Sequence, residues 1–166
     1  MKSLPELAHE VGCVPLHVLV VDDHEPLQLL IQSILTQDSQ EFLIDTAATG
    51  AKAESLIQQN QYDLVLVDEI LPDTRGCKLV EKFMGEGRML PWILITGVVG
   101  DRAKLENNAR RLNAQSVIWK SGNHGDLKQL PTFIRMAVFH FRLHQSAIST
   151  MHTVNLPITP EPTQIK

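Results

Sequence analysis

The sequence predicts an α/β protein, a doubly wound, five-stranded parallel sheet with helices on both faces. Five short runs rich in Leu, Val and Ile alternate with stretches of helical periodicity along the chain. The central run, Leu64-Val65-Leu66-Val67, is apolar without alternation, as a strand covered on both faces must be. Four of the five runs also end in a polar residue with chemical potential, and in open α/β sheets ligands and chemistry collect at the carboxyl ends of the strands.

The elements follow in order. Leu16 to Val21 (LHVLVV) is the first strand, ending in Asp22-Asp23. Glu25 to Gln37 carries Leu27, Leu30, Ile31, Ile34 and Leu35 at helical spacing. Phe42 to Thr46 (FLIDT) is a short strand, and Gly50 to Asn60 a helix with Ala53, Leu56 and Ile57 as its stripe. Leu64 to Val67 is the third strand and runs straight into Asp68; Pro72 and Gly76 then close a loop. Cys77 to Met84 is a short helix with Leu79, Val80 and Phe83 on one side. Trp92 to Thr96 (WILIT) is the fourth strand, introduced by Pro91 and ended by Gly97.

Asp101 to Leu112 has helical propensity but few apolar positions, so weak packing and a mobile helix are expected there. Ser116 to Trp119 (SVIW) is the fifth strand, ended by Lys120. Asp126 to about His144 is the longest helix, with Leu127, Leu130, Ile134, Ala137, Val138 and Phe141 as a strong stripe. Pro157, Pro160 and Pro162 lie in a polar, aperiodic stretch. The expected organisation is an N-terminal extension over 1–15, one folded domain over 16–144 and a flexible tail over 145–166. Five strands alternating with five helices imply right-handed crossovers, which bring the strand ends to one edge.

A chain of 166 residues with 43% hydrophobic and 20% charged residues has enough material for one self-sufficient core. Its formal net charge of -4 argues against direct nucleic-acid binding by the whole chain. Cys13 and Cys77 lack metal-type spacing and suit a reduced, cytoplasmic setting. No apolar run approaches the ~20 residues that span a bilayer, so no membrane association is expected. The N-terminus MKSLPELAHEVG lacks the apolar core of a signal peptide.

Asp22, Asp23, Asp68, Thr96 and Lys120 therefore converge on one sheet edge. Carboxylates brought together repel and lose hydration, and a divalent cation offsets both. Mg²⁺ suits an all-oxygen site that keeps several waters. Lys120 adds a movable positive charge and Thr96 a hydroxyl donor, a set that a tetrahedral oxyanion such as a phosphoryl group would satisfy. Taken singly, each residue has a plainer reading. Asp23 serves as well as a cap for the helix beginning near Glu25, a strand-terminal Thr follows from propensity, and a Lys after a strand is often a solvated end.

VLVVDDHEPLQLL, YDLVLVDEILPDTRG, WILITG and VIWKSG resemble the motifs of the receiver domains of two-component response regulators. The resemblance covers about Leu16 to His144. It implies a flavodoxin-like sheet in the order 2-1-3-4-5 and a single-domain receiver that is a phosphoacceptor rather than an enzyme. By that resemblance Asp68 accepts a phosphoryl group from a histidine kinase or a histidine phosphotransfer protein. Asp23, Asp68 and the backbone carbonyl of Ile70 bind Mg²⁺, with Asp22 acting through water, while Thr96 and Lys120 contact the phosphoryl oxygens. The output expected is a protein–protein interaction with an unnamed downstream partner, or a homodimer, through the face formed by the fourth helix, fifth strand and fifth helix.

The chain departs from the family pattern at Ser121, at Val117, and at Ile70 and Val98. Ser121 stands where Pro usually follows the strand-five Lys. A cis bond before a residue other than proline costs about 2.5–4 kcal/mol, so a trans Lys120–Ser121 bond is expected. Val117 stands where the family usually carries an aromatic switch residue; Trp119, two positions on, shares its face. Ile70 and Val98 occupy the positions flanking the route of attacking water, and both are apolar, so slow autodephosphorylation is expected.

Other signals carry less. His140 and His144 stand four apart but show no third metal ligand. His24 serves equally as a helix-start residue. Arg102, Lys104, Arg110 and Arg111 read as a solvated basic face. An Asp-nucleophile phosphatase of the haloacid-dehalogenase type would carry a second Asp two residues after the first, where Ile70 stands. A pseudo-receiver, an interaction module that never takes phosphate, would usually lack the acidic pocket.

Overall fold

A computed structural model describes residues 14–37, 41–98, 100–120 and 125–153. The expectations for the N-terminal residues 1–13, for the bond from Lys120 into Ser121 and for residues 154–166 lie outside the described residues.

The strands are β1 (Leu16–Val21), β2 (Phe42–Ala47), β3 (Leu64–Val67), β4 (Trp92–Thr96) and β5 (Ser116–Trp119). They form one sheet in the order β2-β1-β3-β4-β5, and every pairing is parallel. The helices are α1 (Glu25–Thr36), α2 (Gly50–Gln59), α3 (Gly76–Gly85), α4 (Arg102–Arg111), α5 (Gly125–Lys128) and α6 (Leu130–Thr153). Among the described residues no helix is long and apolar enough to cross a membrane.

The two-residue period of a strand divides the core between the faces of the sheet. Leu19, Val21, Val65, Val67 and Leu94 point to one side, where α2, α3 and α4 close over them. Val18, Val20, Leu64, Leu66, Ile93 and Ile95 point to the other, under α1 and α6. All four residues of β3 are buried, as the unbroken Leu/Val run required.

The expected fifth helix is instead two. Pro131 has no backbone N–H to continue a helix from α5, but it is tolerated in the first turn of α6. The carbonyl of Gln129 accepts from Thr132 and Phe133 and so starts the new helix. The last helix, expected to end at about His144, also runs on to Thr153. Between Gln145 and Thr153 there is no Gly or Pro, and extension adds one hydrogen bond per residue to a helix already nucleated against the core. The α4 helix matches its sparse pattern: Ala109 is its one buried residue.

Candidate functional site

Parallel pairing delivers the strand ends together. Asp22 directly follows β1, Asp68 follows β3, Thr96 ends β4 and Lys120 follows β5. The backbone ladder continues one residue past the strands, with Asp68 N–H donating to Val21 O at 2.8 Å and Lys120 N–H to Thr96 O at 2.7 Å. The side chains are thus mounted on the sheet rather than on free loops. Asp22 and Asp68 are 2% and 6% exposed and Thr96 is fully enclosed.

The Lys120 ammonium bridges two acids, 2.7 Å from Asp22 Oδ2 and 2.6 Å from Asp68 Oδ2. Asp23 is exposed at the mouth, and one carboxylate oxygen each from Asp22, Asp23 and Asp68 lies within 4.8 Å of the others. The remaining oxygen of Asp68, Oδ1, is buried and makes no hydrogen bond. A buried acceptor without a donor costs about 1–3 kcal/mol, so the Oδ1 atom suits coordination to a cation. An all-oxygen set of three acids against one ammonium fits a small hard cation such as Mg²⁺.

Burial raises the Asp68 carboxyl above its ordinary range; Lys120 pulls it down, Asp22 pushes it up again, and the Ile70 amide exerts a smaller downward pull. For Lys120, burial disfavours the ammonium, but the contacts with Asp22 and Asp68 outweigh it and the net shift is upward. The hydroxyl of Thr96 accepts from Val98 N–H at 3.2 Å, which leaves its own proton to be donated.

Residues without chemistry of their own hold this pocket open, and the sequence reading passed over them. Glu69, buried beside Asp68, accepts from Cys77 N–H at 3.0 Å and so caps the N-terminus of α3, whose N-cap residue Arg75 offers no side-chain bond. Asp73 caps α2, accepting from Gly50 and Ala51 N–H at 2.8 Å each. The loop that carries Ile70 is therefore tied to two helix ends, and an Ile70–Arg75 bridge closes it. At Gly76 a Cβ would fall 2.2 Å from the carbonyl oxygen of Asp68, so only glycine lets α3 begin there. Gln28 on α1 donates to the carbonyl oxygens of Asp22 and Ala47. Only the glycine and the acids in the loop were visible as residue types; their partners across the fold were not.

Other candidates fall outside the pocket. His24 contributes a backbone N–H to Asp22 Oδ1 at 2.9 Å and no side-chain cap to α1. His140 and His144 are exposed on α6 and join no carboxylate or thiolate group suited to a metal among the described residues. Burial, with Glu69 beside it, pushes the Cys77 thiol up to about 12, which makes it inert. Val117 is half-buried against the core, and Trp119 reaches α4.

Comparisons with known proteins give the fold and the family. The curated relatives include the TorCAD operon transcriptional regulatory protein TorR of Escherichia coli K12, 32% identical over 84 residues, 51% of this chain and 35% of that protein. The chain spans about a third to two fifths of the length of such relatives. A CheY-like response regulator receiver domain protein from Methanospirillum hungatei JF-1 superposes with a TM-score of 0.68 at 22% identity, covering 79% of this chain and 99% of that one, which shows the fold. The response regulator TrrA from Thermotoga maritima, in complex with Mg(2+)-BeF, gives a TM-score of 0.59 at 26% identity over 72% of this chain and 98% of that one. The response regulator receiver domain family matches residues 18–131, a span that runs from within β1 through β5 and includes every strand-end residue of the pocket, and the chain belongs to that family of two-component signalling domains.

Proposed function

We propose that Asp68 is a phosphoacceptor and that its phosphorylation switches a protein-binding surface. The observation that carries this is the buried, unpartnered Oδ1 of Asp68 beside an ammonium already shared with a second acid. A carboxylate is a weak nucleophile and is repelled by an anionic phosphorus centre, so the surroundings must cancel charge.

Asp23 and Asp68, with the carbonyl of Ile70, would hold Mg²⁺, and Asp22 would act through water. The bound ion supplies charge neutralisation for the incoming phosphoryl group. An oxygen of Asp68 attacks phosphorus, the bond from phosphorus to the donor imidazole nitrogen breaks, and its electron pair stays on that nitrogen. The donor is a histidine kinase or a histidine phosphotransfer protein. Lys120 exchanges Asp68 Oδ2 for a phosphoryl oxygen, and Thr96 donates its hydroxyl proton to another. The TrrA complex with Mg(2+)-BeF supports this reading by likeness of fold and sequence.

Ile70 is 45% exposed at the pocket loop and offers no group to orient attacking water, nor does Val98. The phosphorylated state is accordingly long-lived. Output runs through the face of α4, β5 and α6 to a downstream protein or a second copy of the chain.

The test is incubation with acetyl phosphate and Mg²⁺ followed by intact mass measurement. Wild type should gain one phosphate and Asp68→Asn none, and Ile70→Asn should shorten the lifetime of the adduct. Persistent absence of an adduct on wild type would leave the pseudo-receiver, a phosphorylation-independent interaction module.

A further inference from the structure

The family's usual aromatic position is filled by Val117, so the pocket's state must reach the surface by another route. The two tryptophans of the chain both hold α4, at opposite ends and by different means. Trp92 is buried and donates its indole N–H to Leu112 O at 2.9 Å, just past the C-terminus of α4. Ala109 and Leu112 are buried around the same end. Trp119 grips the other half from the half-buried edge of β5. Its indole N–H donates to Glu106 Oε1 at 3.3 Å, and the Arg102 guanidinium stands 4.5 Å from its ring centroid.

These holds differ in strength. A buried hydrogen bond within an apolar cluster opens only with the core. A cation–π contact at a solvent-facing site is worth about 0.5–1 kcal/mol, and a 3.3 Å bond to a half-exposed carboxylate adds little. The α4 helix is thus hinged at its C-terminal end and latched at its N-terminal half. The latch residue is the neighbour of Lys120 in sequence and the register partner of Thr96 in the sheet.

We propose that Trp119 is a positioning residue that couples the acid pocket to α4, taking the place of the absent aromatic at Val117. Lys120 continues the backbone of Trp119 and donates its N–H to Thr96 O at 2.7 Å, so a pull on the Lys120 or Thr96 side chain from the pocket acts on the strand end that carries the indole. Any such movement is felt by Arg102 and Glu106 together, because both rest on one rigid indole. The coupling is reciprocal by linkage, so a partner that holds α4 in its displaced position also favours the loaded pocket. The proposal deepens the phosphoacceptor reading by naming the element that reports it.

The full chain, labelled with nitrogen-15, gives one indole N–H resonance from each tryptophan, assigned with Trp119→Phe. On addition of Mg²⁺ and beryllofluoride, the Trp119 indole and the amides of residues 102–106 should shift while the Trp92 indole stays in place. Glu106→Gln, which keeps an acceptor, should retain the α4 response; Glu106→Ala and Trp119→Leu should lose most of it while still forming the acetyl phosphate adduct. Glu106→Ala touches no core residue and guards against a Trp119→Leu chain that fails to fold. Asp68→Asn is a second arm that needs no phosphate, since it alters a contact of Lys120 and should itself move the Trp119 indole. If the adduct forms on wild type and the Trp119 indole does not move, or if α4 responds equally in Trp119→Leu, the latch is wrong. If no adduct forms but Asp68→Asn moves Trp119, the latch stands and the phosphoacceptor reading falls. If neither arm moves Trp119, the latch falls.

Discussion

The carboxyl edge of the sheet carries Asp22, Asp23, Asp68 and Lys120, whereas the side chains toward its amino edge include His17, Asp45, Tyr62 and Asp63; both groups are polar and partly buried, yet they are built to opposite ends. In the second group, donors meet acceptors. Tyr62 donates to Asp45 Oδ2 at 2.6 Å, the His17 ring lies 3.0 Å from the same oxygen and 4.4 Å from the Tyr62 ring, and Asp63 accepts from His17 N–H at 2.8 Å. Arg142 reaches the other oxygen of Asp63 at 2.6 Å and ties α6 to the entrance of β3. Burial, reinforced by Asp45, pushes the Tyr62 phenol well above its ordinary range, so it remains a donor. The carboxyl edge instead crowds acids around one ammonium and leaves Asp68 Oδ1 without a donor. One group uses its polarity to hold the fold, and the other concentrates charge that a ligand can answer. Opposite responses to the same perturbations follow.

Mg²⁺ should separate the two groups most. At a concentration about 100 times its Kd, a ligand bound only by the folded state adds about 2.7 kcal/mol. Thermal melts of wild type should rise accordingly, those of Asp23→Asn much less, and those of Tyr62→Phe by the full amount, because distant sites add independently. A lost Mg²⁺ response in Tyr62→Phe would show that the edges are coupled. Without metal, Tyr62→Phe should cost about 1–2 kcal/mol in urea unfolding, since it strips a charged acceptor of its buried donor. Asp68→Asn should have the opposite sign and stabilise by on the order of 1 kcal/mol, about 2–4 °C in Tm, because it removes a poorly satisfied buried charge facing Asp22. A destabilised Asp68→Asn would mean that the Lys120 bridge outweighs burial.

How far the sequence could be read divides along the same line. Asp22, Asp68, Thr96 and Lys120 were legible because each follows or ends an apolar run, and parallel topology alone brings such ends together. The amino-edge group was not legible. His17 lies within β1, Asp45 within β2 and Tyr62 before β3, and no spacing relates residues that meet only through strand register. Glu69 and Asp73 escaped for a similar reason, since the helix ends they cap belong to other segments. The break at Pro131 was legible in principle, but the strong apolar stripe on both sides of it favoured one continuous helix. The overhang past Gln145 was missed because apolar periodicity measures contact with a core, and that part of α6 is exposed through Ile148.

The smallest expected effect sharpens the contrast through pH. Asp68 has a folded-state carboxyl raised by burial, with Lys120 opposing and Asp22 assisting. Between the ordinary carboxylate range and that raised value, the folded chain holds a proton that the unfolded chain has released. The folded state then binds more protons than the unfolded state, so this residue's contribution to stability must decline as pH rises through the window. Asp73 works the other way: the amides of Ala51 and Gly50 lower its carboxyl, and its contribution is present above the ordinary range and lost as pH falls. The Asp73 caps are unchanged in Asp68→Asn, so they cancel when the two proteins are subtracted. Urea unfolding of wild type and Asp68→Asn in chelator-containing buffers across the acidic range should therefore give a difference that moves against wild type as pH rises, then levels off. A difference moving in favour of wild type would show that the ammonium of Lys120 holds Asp68 ionised at little cost, and the carboxyl edge would then be as well satisfied as the amino edge.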